Sequence, residues 1–390
     1  MGNVKRLHQR IVIVTAIFLM AFSAADAQTL RVGLATAQTG GLAPYDAPVM
    51  EGFKIAIDEI NQKGGINGNI KIELVMRDVR SDVAQTAVAA QELMDAKVDI
   101  LVTPCDADPS FAASQIAQEA GVPAFSTCAS SPTLPLMGGD YMFANFPGDN
   151  VQATVSASWA IEQGFKTVYL LYSPDTQYTT MPLYFGDVFT KLGGKIVGKD
   201  EYKMSQQNFS SEVAKIKRLN PQPDVIMTSA YEPDFPAFIR QLRAAGIKSQ
   251  VIGSDGIDSP TTFSLGDAVE GLVFTTAGHA LPGNALDKFN QKYEKVYGKK
   301  SETVFNAIGY DLAKVIEAAV MKCGSTEGKK IRDAVAELEN VQGATGKITY
   351  KGTNGMPLRQ VALIKVKKGG RELVELKSPD AALVPEARMN

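Results

Sequence analysis

The sequence predicts an α/β protein of two doubly wound parallel-sheet lobes joined by a hinge that the chain crosses three times. Three observations carry this. Short apolar runs alternate with longer amphipathic stretches along most of the chain, as in parallel strands covered by helices on both faces. The rhythm pauses at Asn145-Phe146-Pro147-Gly148 and then restarts, which divides it into two series. The 390 residues, 45% hydrophobic, are enough to build a core in each half.

The first 27 residues stand apart. Lys5, Arg6 and Arg10 precede an apolar run over 11–22, and Ala25-Asp26-Ala27 supplies an A-x-A cleavage site. This order is that of a secretory signal peptide. The run is too short to span about 30 Å of hydrocarbon. Cleavage after Ala27 exposes Gln28 rather than a cysteine, so no lipid anchor is expected. The mature chain is expected to be exported and periplasmic.

The first series opens with a strand over 30–35. A helix over 50–61 follows, its apolar face carrying Phe53, Ile55, Ala56, Ile57 and Ile60. Gly64-Gly65-Ile66-Asn67-Gly68 ends that helix, because glycine tolerates the left-handed geometry of a C-cap. These glycines follow a helix rather than precede one, which argues against a phosphate cradle. A strand over 71–77, a helix over 83–95, a strand over 98–102, a helix over 109–120 and a strand over 122–125 continue the pattern.

In the second series, helices are expected over 151–163, 181–192, 209–219 and 233–245. Strands are expected over 167–172, 195–201, 224–228, 250–252 and 272–275. After His279 the character changes to helices over 285–297, 304–322 and 328–338, then strand-like 346–350 and 359–366. A tail of this composition is too strand-poor to be a third domain and is expected to pack on both lobes. The division is then 1–27 signal peptide, 28–147 with 279–343 as lobe 1, and 148–278 with 344–390 as lobe 2.

Export makes disulfides possible. Cys105 and Cys128 each follow a strand of one expected βαβ unit, which places both at the same end of neighbouring strands about 4.8 Å apart. A bridge between them and a pair of buried thiols both fit that placement. Cys323 is left over at a helix end.

Ligands of open α/β sheets bind outside the carboxyl ends of the strands. Loops there carry Tyr45, Tyr178 and Tyr231, with apolar faces and polar tips, and Asp106, Asp108, Asp255 and Asp258 as acceptors. Ser126, Thr127, Ser130 and Ser131 offer donors for an anion. Aspartate ahead of a helix is also an ordinary N-cap. Catalytic readings lack parts. His279 is the one histidine after residue 27, and no Walker motif, nucleophile elbow or G-x-G-x-x-G opens a helix. Neither metal nor cofactor is expected. A net charge of −2 gives no basic excess for nucleic acid.

The stretch Glu51-Gly52-Phe53 through Ile60-Asn61-Gln62-Lys63-Gly64-Gly65-Ile66-Asn67-Gly68 resembles the type I periplasmic binding proteins of the leucine/isoleucine/valine group. So do Tyr231-Glu232-Pro233-Asp234, Ile239-Arg240-Gln241-Leu242-Arg243-Ala244-Ala245-Gly246 and Gly253-Ser254-Asp255-Gly256. The resemblance implies the substrate-binding component of an ABC importer, a monomer without enzymatic activity, delivering an amino acid or similar small polar solute to a membrane permease. It implies that Tyr45 covers the ligand's side chain, that Ala129 and Ser130 hold its carboxylate, and that Tyr178 and Tyr231 close over it. Asp255 would then pair with its ammonium, and Phe305 would wall the pocket. One departure is Asp106, where amino-acid binders usually carry a serine. A carboxylate there would repel a ligand carboxylate by about 4 kcal/mol at 4 Å and an effective dielectric of 20. The other is the missing cysteine near Ser81, for which Cys128 is the substitute partner. The aromatic positions and Asp106 keep a second ligand class in view, aromatic acids or amides; a periplasmic sensor subunit is the alternative role.

Overall fold

The structure, a computed structural model, describes residues 28–174, 180–367 and 369–388. The expected leader and Tyr178 lie outside the described residues. The first half runs β1 (Gln28–Thr36), α1 (Ala43–Gln62), β2 (Ile70–Asp78), α2 (Val83–Asp95), β3 (Ile100–Thr103), α3 (Ala107–Ala120), β4 (Ala124–Ser126), α4 (Leu134–Gly138) and β5 (Met142–Phe143). Its five strands form one parallel sheet in the order β2-β1-β3-β4-β5. Both faces are covered. Ile100 and Val102 of β3 enter one core with Phe53, Ile57 and Ile316, while Leu101 between them enters another with Ala89, Ala113 and Ala117. That alternation is the period of two of a strand buried on both sides.

The second half runs α5 (Asp149–Glu162), β6 (Thr167–Tyr172), α6 (Met181–Lys191), β7 (Lys195–Glu201), α7 (Ser210–Arg218), β8 (Val225–Thr228), α8 (Asp234–Ala244), β9 (Gln250–Gly253), α9 (Pro260–Phe263) and β10 (Val273–Thr276). The tail adds α10 (Ala285–Tyr297), α11 (Phe305–Cys323), α12 (Gly328–Ala336), β11 (Val341–Gln342), β12 (Lys347–Ile348), β13 (Val361–Lys367) and β14 (Gly370–Lys377). The second sheet has the order β14-β13-β10-β9-β8-β6-β7. It is parallel from β7 to β10, and its last two strands are antiparallel.

The tail serves both sheets. Helices α10 to α12 bury Phe289, Leu312, Ile316 and Ile331 in the core beside the first sheet, and β13 with β14 completes the second. Helices α1 and α11 approach backbone to backbone. A Cβ at Gly52 would overlap the Asn306 carbonyl, and one at Gly309 the Val49 carbonyl.

Three expectations are corrected. Helix α1 starts at Ala43, well before residue 50, because Pro44 suits a first turn and Tyr45 and Val49 extend the apolar face. Tyr45 and Asp46 therefore stand on a helix rather than in a loop. Ile348 and Tyr350, given to lobe 2 on sequence, are buried in the core beside the first sheet. Strand β14 had no counterpart in the sequence reading, since Gly370–Lys377 is an edge strand carrying the charged Arg371, Glu372, Glu375 and Lys377.

Cys105 and Cys128 are bridged, with Cα atoms 4.5 Å apart, at the ends of the paired strands β3 and β4. Cys323 is free and half-buried. No helix among the described residues is long and apolar enough to cross a membrane.

Candidate functional site

The carboxyl ends of both sheets face one narrow cavity between them. Five of the residues singled out on sequence line it: Tyr45, Ser130, Tyr231, Asp255 and Phe305. Ala129 is fully buried beside them and does not line it. Asp106 is the N-cap of α3, where its carboxylate accepts from the Asp108 N–H at 3.1 Å. It is not among the lining side chains, although its charge lies close enough to raise the pKa of the Tyr231 hydroxyl. The structure thus places Asp106 as the cap that aspartate ahead of a helix commonly forms.

The lining also includes residues that the sequence reading did not select as ligand contacts: Leu42, Ser229, Ser254, Gly256 and the Cys105–Cys128 bridge itself. The Ser229 hydroxyl is buried and has no hydrogen-bond partner among the described residues. A buried polar atom of this kind is rare unless something outside the protein satisfies it.

The aromatic wall has a defined geometry. The Tyr45 ring meets Tyr231 edge to face at 6.2 Å and 81°, and Phe305 at 5.6 Å and 84°. Tyr45 belongs to α1 and Tyr231 to the loop after β8, so the first contact joins the lobes. The Tyr45 hydroxyl also donates to the Gly256 carbonyl at 3.0 Å, a second link between them. Burial, with Glu232 nearby, pushes the Tyr45 pKa up, so the hydroxyl keeps its proton for that bond.

Asp46 holds the first-lobe side in shape. Its carboxylate accepts from Ala37 N–H at 2.7 Å, Cys105 N–H at 2.8 Å and Thr127 Oγ1 at 3.1 Å. One side chain on α1 thereby ties the chain ends of β1, β3 and β4 together. It is fully buried, and burial raises its pKa to about 7 against the pull of those three donors.

Asp255 is held from the second lobe. Gln152 on α5 donates to its carboxylate at 3.0 Å and to the Pro147 carbonyl at 3.0 Å, while the Gln152 carbonyl accepts from Thr275 at 2.7 Å. Burial, then the neighbouring Asp149, raises the Asp255 pKa to about 8. Asp149 itself is pushed to about 7 by burial, although Ser130 and Thr180 donate to it. Asp258 is different in kind, since Arg371 pairs with it at 2.5 Å. Among the described residues, no group of acids, histidines or cysteines is arranged to hold a metal ion.

A family model described as periplasmic binding protein matches residues 29–371. The chain is 26% identical to the Leu/Ile/Val-binding protein BraC3 of Rhizobium johnstonii over 91% of its own length and 96% of that protein. The crystal structure of a leucine-binding protein, LivK, from Thermotoga maritima superposes with a TM-score of 0.82 at 29% identity, covering 90% of this chain and 99% of that one. A solute-binding protein of an ABC transporter from R. palustris, in complex with 4-hydroxybenzoate, shares the fold at a TM-score of 0.80 and 21% identity, covering 90% and 98%.

Proposed function

This chain belongs to the periplasmic binding protein family, and from that premise we propose that it is the solute receptor of an ABC importer for an amino acid or a similarly small polar organic molecule. The observation that carries this is the cavity between the lobes, bridged by the Tyr45–Gly256 hydrogen bond and lined by rings, hydroxyls and one carboxyl. Lobes linked at only a few crossings can rotate about them without repacking their cores.

The finer assignments belong to the same reading. Residues 1–27 are an export signal removed after Ala27, and the mature protein works in the periplasm as a monomer that docks on a membrane permease. Tyr45, Ser130, Tyr231, Asp255 and Phe305 touch the ligand; Ala129 and Tyr178 belong to the same site. The lobe division is 28–147 with 279–343, and 148–278 with the remainder, revised so that the third crossing follows Tyr350. The receptor releases its ligand unchanged. A second ligand class, aromatic acids or amides, draws support from the three rings. That the R. palustris protein of the same fold was crystallised with 4-hydroxybenzoate makes the class worth including in a screen.

Mass spectrometry of the molecule released from purified protein, followed by calorimetric titration, tests the proposal. Saturable binding of one molecule per chain with compaction in small-angle scattering is expected. Absence of both, over amino-acid and aromatic panels, refutes it.

A further inference from the structure

We propose that the cavity selects an organic cation: a ligand whose protonated amine is not cancelled by a carboxylate, such as an amino-acid amide. This rests on the reading of the cavity as a solute site and narrows its ligand class.

The first support is charge. Asp255 lines the cavity, Asp149 stands behind it, and Asp106 lies beside Tyr231. Among the described residues, none of those lining the cavity is Lys, Arg or His. Two buried or half-buried arginines of the fold are engaged elsewhere, Arg371 with Asp258 and Arg359 with Asp311. A carboxylate on the ligand would find no protein cation lining the cavity to meet it, whereas an ammonium beside Asp255 favours the ionised form of that carboxyl.

The second is the ring geometry. Tyr45 stands nearly perpendicular to both Tyr231 and Phe305. Aromatic faces are negative, and groups of them beside a carboxyl favour an ammonium group.

Hydroxyl bookkeeping is the third. The Ser130 hydroxyl already donates to Asp149, so its proton is not free for a ligand carboxylate. The Ser229 hydroxyl is buried on the cavity wall and has no partner among the described residues. It suits a neutral polar group such as an amide.

The test uses the leucine and phenylalanine skeletons, each as amino acid, amide and the acid lacking the amine. Calorimetry is run on the full-length mature protein at about pH 7, so that the Asp255 carboxyl is not held protonated by acid. The amide is expected to bind about tenfold or more tighter than its amino acid. The acid lacking the amine is expected not to bind. Asp255→Asn should weaken the amide by roughly 10- to 100-fold and erase the preference. Ser229→Ala should weaken the amide by about 3- to 10-fold while sparing the order of the others. If the amino acid or the acid binds tighter than the amide on either skeleton, the proposal is overturned and the receptor reading stands. If none of the compounds binds, while another solute without an amine does, the proposal is likewise overturned. If no small organic solute binds at all, both fall. The comparison on the unsubstituted protein decides the matter even where a variant fails to fold.

Discussion

Arg359 and Asp311 form an ion pair 2.5 Å apart with both side chains out of solvent, where the tail passes between the lobes. Asp311 sits on α11 and also accepts from Thr345 Oγ1 at 2.6 Å. The Arg359 guanidinium reaches back to the Asn145 carbonyl, on the first crossing. One buried pair therefore fixes two crossings to one helix. Breaking it leaves a buried charge unpaired. Arg359→Ala or Asp311→Ala is expected to lower stability by about 3–5 kcal/mol, whereas replacing both by apolar residues of similar volume should recover most of the loss. Urea unfolding reads this directly, and single variants within about 1 kcal/mol of the parent would show that the pair is not structural.

Tyr45→Phe removes the hydrogen bond to Gly256 while keeping the ring contacts. A net bond is worth about 0.5–1.5 kcal/mol, so ligand affinity should fall by roughly 2- to 12-fold, mainly through faster release. Stopped-flow dissociation checks it. An unchanged release rate would remove Tyr45 as a link between the lobes.

The bridge between Cys105 and Cys128 closes a loop of sequence separation 23 and walls the cavity. Replacing both cysteines by serine should lower stability by about 3 kcal/mol. It should also weaken the ligand, because the two loops it joins carry Asp106 and Ser130. Alkylation of the unfolded, unreduced chain should label Cys323 alone; labelling of all three cysteines would contradict the bridge.

Acidity acts on stability with a definite sign. Asp46, Asp149 and Asp255 are raised from their ordinary 3.8 to about 7, about 7 and about 8, chiefly by burial. Between those limits the folded chain binds more protons than the unfolded one, so stability falls as pH rises. This contribution is complete below about pH 4 and gone above about pH 8. The ligand-free melting temperature should decline across that window, and Asp255→Asn should flatten the decline. A rising melting temperature that Asp255→Asn leaves unchanged would show that other groups govern.

How much of this could be read in advance depends on distance along the chain. Asp255 was legible because a strand of apolar residues runs straight into it, and the strand-end rule does the rest. Helix α2 (Val83–Asp95) was legible at its full length from the alternating strand–helix pattern, and the structure adds Asp82 as its cap. Gln152 was not: it lies inside α5, 103 residues from the carboxylate it holds, and nothing local marks a helical glutamine as a positioning group. Ser229 was passed over because a serine after a strand is ordinary, and its missing partner is a property of three dimensions only. Asp46 was hidden by the start of α1, which the sequence reading placed at residue 50 and the structure places at Ala43.

The close fit of α1 against α11 bears on when the protein can fold. Asn306 on α11 donates to the Pro48 carbonyl on α1, 258 residues away. The first sheet leaves the ribosome early, yet its core lacks a wall until α11 is made. The second sheet likewise waits for β13 and β14, the last strands in the chain. Each half takes chain from both sides of the tail helices, so neither core is complete until the last strands have been made. Both cores stay open until nearly the whole chain exists, which would suit the exported chain proposed above.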